Sequence, residues 1–387
     1  MNHTAVGVLK EHAPGERRVA LVPGDVAALA RTGFAVCVEH GAGDRAWFTD
    51  QDYRDAGAVV EEAAAIRRDC AILLCVDPPI VESPLSPHAG QVLIGMLQPL
   101  HQPHRVRAWA RQGITTVSLD MLPRTLSRAQ AMDALTSQTH LAGYRAVFVA
   151  AAAYRGFMPM LTTATGTVRP ASVLVLGCGV AGLSAVGAAR RAGAVVTAYD
   201  VRPEAAAAAR SLGAAVLDLA VDAAGEGGYA RALTETETRA QQETLAAVIG
   251  RFDIVIATAQ VPGGEPPLLV TETAIDRLRP GAVLVDLAAG ALGGNIAGSV
   301  PDATVEPARG VTLIGAPNLA SDMAPAASAA YSRNVCALLK HLAPAGALRI
   351  DPDDEIQAAV LITHGGAIVH RTLARLAAPP TRERTGA

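Results

Sequence analysis

A chain of 387 residues is long enough for two or three domains of ordinary size, each with its own core. Half of its residues are hydrophobic but only 3% are aromatic, so Ala, Val and Leu must fill the interior, as layered α/β packing requires. A net charge of −3, with no Lys/Arg block and no interleaved aromatic stripe, argues against a nucleic-acid surface. Mean hydropathy is positive. Even so, the longest apolar runs are broken by glycines or by Arg145, and fall short of the roughly 20 residues that a membrane span needs. The start of the chain lacks the basic, apolar and cleavage regions of a signal peptide, so a cytosolic location is expected. Cys37, Cys70, Cys75, Cys178 and Cys336 are odd in number, scattered and set among apolar residues, which reads as reduced core thiols. Cys70 with Cys75, and His101 with His104, lack a second half at ligand spacing, so no metal site is expected.

In chain order, the first 120 residues alternate strand and helix: AVGVL, a helix over residues 25–31, FAVCVE, a helix near Gln51, AILLCV, QVLIGM, a helix over residues 105–111, and ITTVSL. Such alternation means a parallel sheet with helices on both faces. No glycine fingerprint falls here, so this sheet is expected to form one wall of a cleft and not the dinucleotide site itself. Residues 127–154 then turn helical, broken at most by Gly143. Ser127 to Gln130 spell S-x-x-Q, a capping-box pattern, so Gln130 and Asp133 could serve simply to cap that helix.

Residues 173–200, VLVLGCGVAGLSAVGAARRAGAVVTAYD, contain an apolar strand, a G-x-G-x-x-G loop, a helix opening at Val180 and a second strand ending on Asp200. Gly177 suits the tight turn, Gly179 lets backbone approach a pyrophosphate, and Gly182 lets the helix pack close to the sheet. The helix N-terminus turns unpaired N–H groups toward the phosphates. Asp200 is placed to accept hydrogen bonds from the adenosine ribose hydroxyls and to repel a 2′-phosphate, which favours NAD(H) over NADP(H); Arg202 softens that preference.

Strands AAVLDL, DIVIAT, AVLVDLA and VTLIGA continue this domain. Between the first two lies a long polar, glycine-bearing insertion, residues 219–253, that reads as a loop, either a lid or ordinary surface. A second Ala-rich helix over residues 324–342 and a strand AAVLIT return the chain to the first domain. The fold class expected is α/β, with two Rossmann-like, doubly wound parallel-sheet domains and a cleft between them. The first domain takes residues 1–133 and 325–377, and the dinucleotide-binding domain residues 134–324. Residues 378–387 read as a disordered tail.

The run DMLPRTLSRAQAMDALTSQTHLAGYRAV closely resembles the signature of the NAD(H)-binding domain I of proton-translocating NAD(P) transhydrogenases, in the alpha subunit. The likeness extends through RRVALVP, GTVRPASVLVLGCGVAGL, GGYARAL, VPGGEPPLL, VLVDLAAGALGGN and GAIVH, nearly the whole chain in order. It implies direct hydride transfer between NADH on this chain and NADP on a partner subunit, a step that needs positioning and no acid or base. It also implies that Arg124, Gln130 and Asp133 orient the nicotinamide and its ribose. Gly228 and Tyr229 would belong to a mobile loop closing over the nucleotide, and Gly177, Gly179, Val180, Gly182, Asp200 and Arg202 would make the other nucleotide contacts. A homodimer, an NADP-binding beta subunit and a membrane subunit are the partners implied. The inner face of the cytoplasmic membrane is then a second expected location.

The related alanine dehydrogenases pose a rival: a freestanding NAD-dependent amino- or imino-acid dehydrogenase. Oxidising an amino acid moves protons as well as hydride, so titratable groups are required. That family places a Lys and a His at strand ends where this chain has Cys75 and Gln98, although the carboxylate-gripping Arg survives as Arg18. A non-catalytic NAD(H) sensor is the third reading.

Overall fold

The computed structural model describes residues 4–79, 86–123, 126–219, 223, 231–261 and 263–377. The tail expected over residues 378–387 lies outside the described residues. By its internal contacts the chain divides into two units, one running to Gln138 and resuming at Ala324, the other spanning Thr139–Met323. The first division falls inside the helix Ala134–Ala153.

The first unit is built on a sheet in the spatial order Val59–Glu61, Phe34–Glu39, Thr4–Val8, Ile72–Leu74, Val92–Gly95, Thr115–Ser118, Leu361–His364, Ala367–Ile368. The first six strands are parallel; Leu361–His364 joins antiparallel to Thr115–Ser118, and Ala367–Ile368 antiparallel to it in turn. Chain order reverses between Thr4–Val8 and Ile72–Leu74, the arrangement of a doubly wound sheet. Successive residues feed opposite faces: Ile72 and Leu74 enter a core with Val335 and Leu339 of the helix Ala324–Leu342, while Leu73 packs with Trp109 and Ile66. The sequence reading lacked the short strand Val59–Glu61 and the helix Ala63–Asp69. Their EEAAAIRRD composition carries too few apolar residues for a period to show.

The second unit holds a seven-stranded sheet in the order Ala215–Val216, Val195–Tyr199, Ser172–Leu176, Ile254–Ala257, Val283–Asp286, Val311–Gly315, Ala303–Ala308, parallel except for the last strand. Strand Ser172–Leu176 is apolar after its first residue because both of its faces are covered. Val173 and Val175 meet Ala185, Val186 and Ala189 of the helix Val180–Arg191, and Leu174 and Leu176 meet Leu245 and Ile249 on the other side.

Three readings of the sequence need correction. The polar insertion contains a 14-residue helix, Glu235–Val248, started by a capping box in which Thr234 accepts from the Glu237 N–H and Glu237 accepts from the Thr234 N–H. Gly143 does not interrupt the helix Ala134–Ala153; a Cβ there would lie 2.0 Å from the Ala181 carbonyl oxygen, so the glycine permits close helix packing. The Ser127–Gln130 pattern forms no capping box: those residues lie in the 3-10 turn Ser127–Met132, and the long helix begins at Ala134. The cap is Asp133, whose carboxylate accepts from the Thr136 N–H at 2.8 Å and its hydroxyl at 2.6 Å.

Candidate dinucleotide site

The second unit's site is organised at the carboxyl end of strand Ser172–Leu176, beside the point where chain order reverses. Gly177 leaves that strand with φ +89°, a left-handed conformation that side chains resist. Its N–H donates to the Tyr199 carbonyl at 2.8 Å, and a Cβ would lie 2.9 Å from Thr258 Oγ1. Gly179 precedes the helix Val180–Arg191 without any side-chain cap, and a Cβ built on it meets nothing within 4 Å. Gly182 differs sharply, since a Cβ there would fall 1.8 Å from the Gly177 carbonyl oxygen. One glycine therefore makes the turn, one leaves clear space before an uncapped helix N-terminus, and one allows the helix to touch the loop. This backbone fits a pyrophosphate, which needs N–H donors and no intervening side chain.

Asp200 follows strand Val195–Tyr199 and ties the loop together. Its Oδ2 accepts from the Cys178 N–H at 2.7 Å and from Arg202 Nη2 at 2.8 Å; its Oδ1 accepts from the Arg202 N–H and Nε, both at 2.9 Å. Arg202 thus forms a bidentate pair with the very carboxylate expected to take ribose hydroxyls.

Sequence reasoning missed a second layer. Thr258, after strand Ile254–Ala257, donates its hydroxyl to the Gly177 carbonyl at 3.0 Å and so braces the fingerprint turn. The fully buried Asn295 accepts from the Ala259 N–H at 2.9 Å and donates to the Ala259 and Pro267 carbonyls, pinning both ends of the segment that follows. Asp286, also fully buried, accepts from the N–H groups of Ala288 and Ile296, and burial raises its carboxyl above the usual range. Gly294 must lack a side chain because a Cβ would lie 2.4 Å from Asp286 Oδ2. The DLAAGALGGN run thus acts as a clamp on the loop beside the glycine fingerprint. The signal for this was a polar pair, Asp and Asn, in an otherwise apolar stretch.

The remaining candidates belong to the first unit or escape description. Gln130 is exposed on its 3-10 turn and Asp133 is the partly buried helix cap. Arg124, Gly228 and Tyr229 lie outside the described residues.

The groups that would serve amino-acid oxidation are visible and differently engaged. Arg18 is 5% exposed, with Nε on Glu16 Oε1 at 2.8 Å, Nη2 on Glu16 Oε2 at 2.5 Å and Nη1 on Gln138 Oε1 at 3.0 Å. Cys75 is buried, its thiol turned to the Ile94 carbonyl at 3.6 Å and pushed well above the usual thiol range by burial. Gln98 has φ +50° and donates its N–H to Asp120 Oδ2 at 3.1 Å. Neither Cys75 nor Gln98 offers a base.

Residues 7–142 match the alanine dehydrogenase/PNT N-terminal domain and residues 146–371 the alanine dehydrogenase/PNT C-terminal domain. The chain is 38% identical to an NAD(P) transhydrogenase subunit alpha of Rickettsia prowazekii, over 94% of this chain and 95% of that protein. It is also 38% identical to the solved transhydrogenase from Sinorhizobium meliloti, with a TM-score of 0.82 over 95% of this chain and 99% of that one. The alanine dehydrogenase of Mycolicibacterium smegmatis is more distant, 30% identical over 73% of this chain and 72% of that protein.

Proposed function

Because this chain belongs to the alanine dehydrogenase/PNT family and is similar to its transhydrogenase members over nearly its full length, we propose that it is the NAD(H)-binding alpha subunit of a proton-translocating NAD(P) transhydrogenase. The observation that carries this reading over amino-acid oxidation is the engagement of Arg18 by Glu16 and Gln138, alongside the absence of a base at Cys75 and Gln98. A substrate carboxylate would have to displace an internal bidentate ion pair in a buried setting, at a cost of several kcal/mol.

When bound, the NADH nicotinamide supplies a hydride from its C4. The rest is positioning. The loop of Gly177, Gly179 and Val180 and the helix behind it receive the pyrophosphate; Asp200, with Arg202 released from it, receives the adenosine ribose. Thr258 and Asn295 hold the neighbouring segments rigid. Gln130, Asp133 and Arg124 are assigned to the nicotinamide end, and Gly228 with Tyr229 to closure over the nucleotide, on the family resemblance.

NADP(H) would be carried by a partner beta subunit, and proton conduction by a membrane subunit; no helix of the described residues is long and apolar enough to cross a membrane. A homodimer is part of the same reading. It is supported by an apolar exposed surface on the second unit, where Tyr144 and Phe148 pack ring to ring at 4.7 Å and Phe157, Met160 and the hairpin residues Leu161 and Val168 are also exposed. The test pairs two assays on the purified protein: NADH titration, expected to show tight binding and preference over NADPH, and L-alanine with NAD, expected to give no NADH. Alanine-dependent NADH formation by this chain alone would overturn the proposal.

A further inference from the structure

Cys37 and Cys70 face each other in the first unit, outside the nucleotide site. In the parallel register Gly7 pairs with Cys37, so their side-chain positions share one face of the sheet. Gly7 has no side chain to fill its place, and Cys70, just past the helix Ala63–Asp69, enters that space: a Cβ on Gly7 would lie 3.1 Å from both Cβ and Sγ of Cys70. The two thiols hydrogen-bond across the gap. Cys37 is partly exposed whereas Cys70 is buried, so one thiol of the pair is reachable from solvent and the other stands behind it.

We propose that Cys37 and Cys70 form an oxidisable dithiol, a site where hydrogen peroxide converts two thiols into an intramolecular disulfide. The thiolate of Cys37 attacks the peroxide O–O bond, giving a sulfenic acid at Cys37 and releasing water. Cys70 Sγ then attacks Cys37 Sγ; the S–S bond forms, the S–O bond breaks and a second water leaves. Two thiols are oxidised by two electrons and one peroxide is reduced to two waters. Selectivity follows from the surroundings. The hydrogen bond from Cys70 brings the Cys37 thiol down to about 7, near the pH of the cell, while burial pushes Cys178 and Cys336 up to about 12 and Cys75 further still. The product would link the strand Phe34–Glu39 to the segment after the helix Ala63–Asp69.

The intact protein is treated with hydrogen peroxide at neutral pH, free thiols are blocked with N-ethylmaleimide, and the digest is read by mass spectrometry. The expected product is a Cys37–Cys70 cross-linked peptide, two mass units lighter than the reduced pair, formed at least ten times faster than oxidation of Cys75, Cys178 or Cys336 and reversed by dithiothreitol. Cys70→Ser should instead accumulate a sulfenic acid at Cys37 that dimedone traps, and Cys37→Ser should leave Cys70 reduced. Wild-type protein in which both thiols still take N-ethylmaleimide after peroxide, or in which Cys37 proceeds to sulfinic acid without the cross-link, overturns the proposal. Because the wild-type digest decides, a variant that failed to fold would not spare it.

Discussion

Asp200→Asn isolates what the carboxylate does for nucleotide choice. A carboxylate offers about four acceptor positions, and in Asp200 four donors face them, one from Cys178 and three from Arg202, at 2.7 to 2.9 Å. Two ribose hydroxyls can enter only as the Arg202 side chain withdraws. Hydrogen bonds to a charged acceptor contribute about 1.5–3 kcal/mol each, and giving up a partly exposed ion pair takes back about 1 kcal/mol. Taking the low end for both hydroxyls leaves about 2 kcal/mol, or a roughly 30-fold weaker NADH complex when the charge is removed. Asparagine keeps one oxygen for the Cys178 N–H, so the loop should survive, whereas Asp200→Ala strands that amide and should lose more. With the negative charge gone and Arg202 no longer held, a 2′-phosphate is welcomed, and NADPH should bind more tightly than to wild type. Fluorescence titrations of NADH and NADPH measure both constants. An unchanged ratio between them would refute the reasoning.

Arg202→Ala should act in the opposite sense, tightening NADH about threefold by freeing the acceptors and weakening NADPH; calorimetry showing weaker NADH would mean that Arg202 is a direct ribose or phosphate contact. Gly182→Ala should destabilise the second unit by about 3 kcal/mol or more, given a Cβ 1.8 Å from the Gly177 carbonyl, while Gly179→Ala, with open space, should fold normally and lose nucleotide affinity. Urea titrations beside NADH binding separate these outcomes, and equal stability loss in both variants would contradict the assigned roles. Burial raises Glu11 to about 8, so its folded form holds a proton that the unfolded chain has already lost above about 4.5. That contribution to stability is full below 4.5 and declines as pH rises through 8, with a slope of at most about 1.4 kcal/mol per pH unit. Asp77, raised to about 6 by burial, adds the same sign at lower pH, which leaves pH 6–8 to report Glu11. Glu11→Gln should flatten unfolding free energy across that window, and an unaltered slope would exclude Glu11 as the source.

What the sequence made legible was local. Gly177 and Gly182 declare themselves because a turn and a close contact a few residues apart depend on them, and the strands on either side are apolar on both faces. The helix Glu235–Val248 escaped notice because its ETETRAQQETLAAV pattern is mostly polar, even though Thr234 and Glu237 stood at capping-box spacing. Long-range polar contacts left no trace at all. Nothing near Arg18 announces Gln138, 120 positions away, and nothing near Ala259 announces Asn295, 36 positions on. These partners are chosen by the folded geometry, and they decide that Arg18 is occupied and that the loop beside the fingerprint is held. Arg202 was seen as a neighbour of Asp200, but its bidentate grip on the carboxylate depends on side-chain placement that spacing does not encode.

Direct hydride passage is best followed with a label. NADH carrying deuterium at the transferable C4 position is bound to this protein, an NADP-loaded partner subunit is added, and the NADPH formed is examined by mass spectrometry and NMR. Deuterium should arrive at C4 of NADPH undiluted by solvent protons, at a rate that needs no amino or keto acid. Label washed out into water, or transfer that waits on L-alanine or pyruvate, would show that the chain performs substrate chemistry of its own and is not a one-ring-to-another relay.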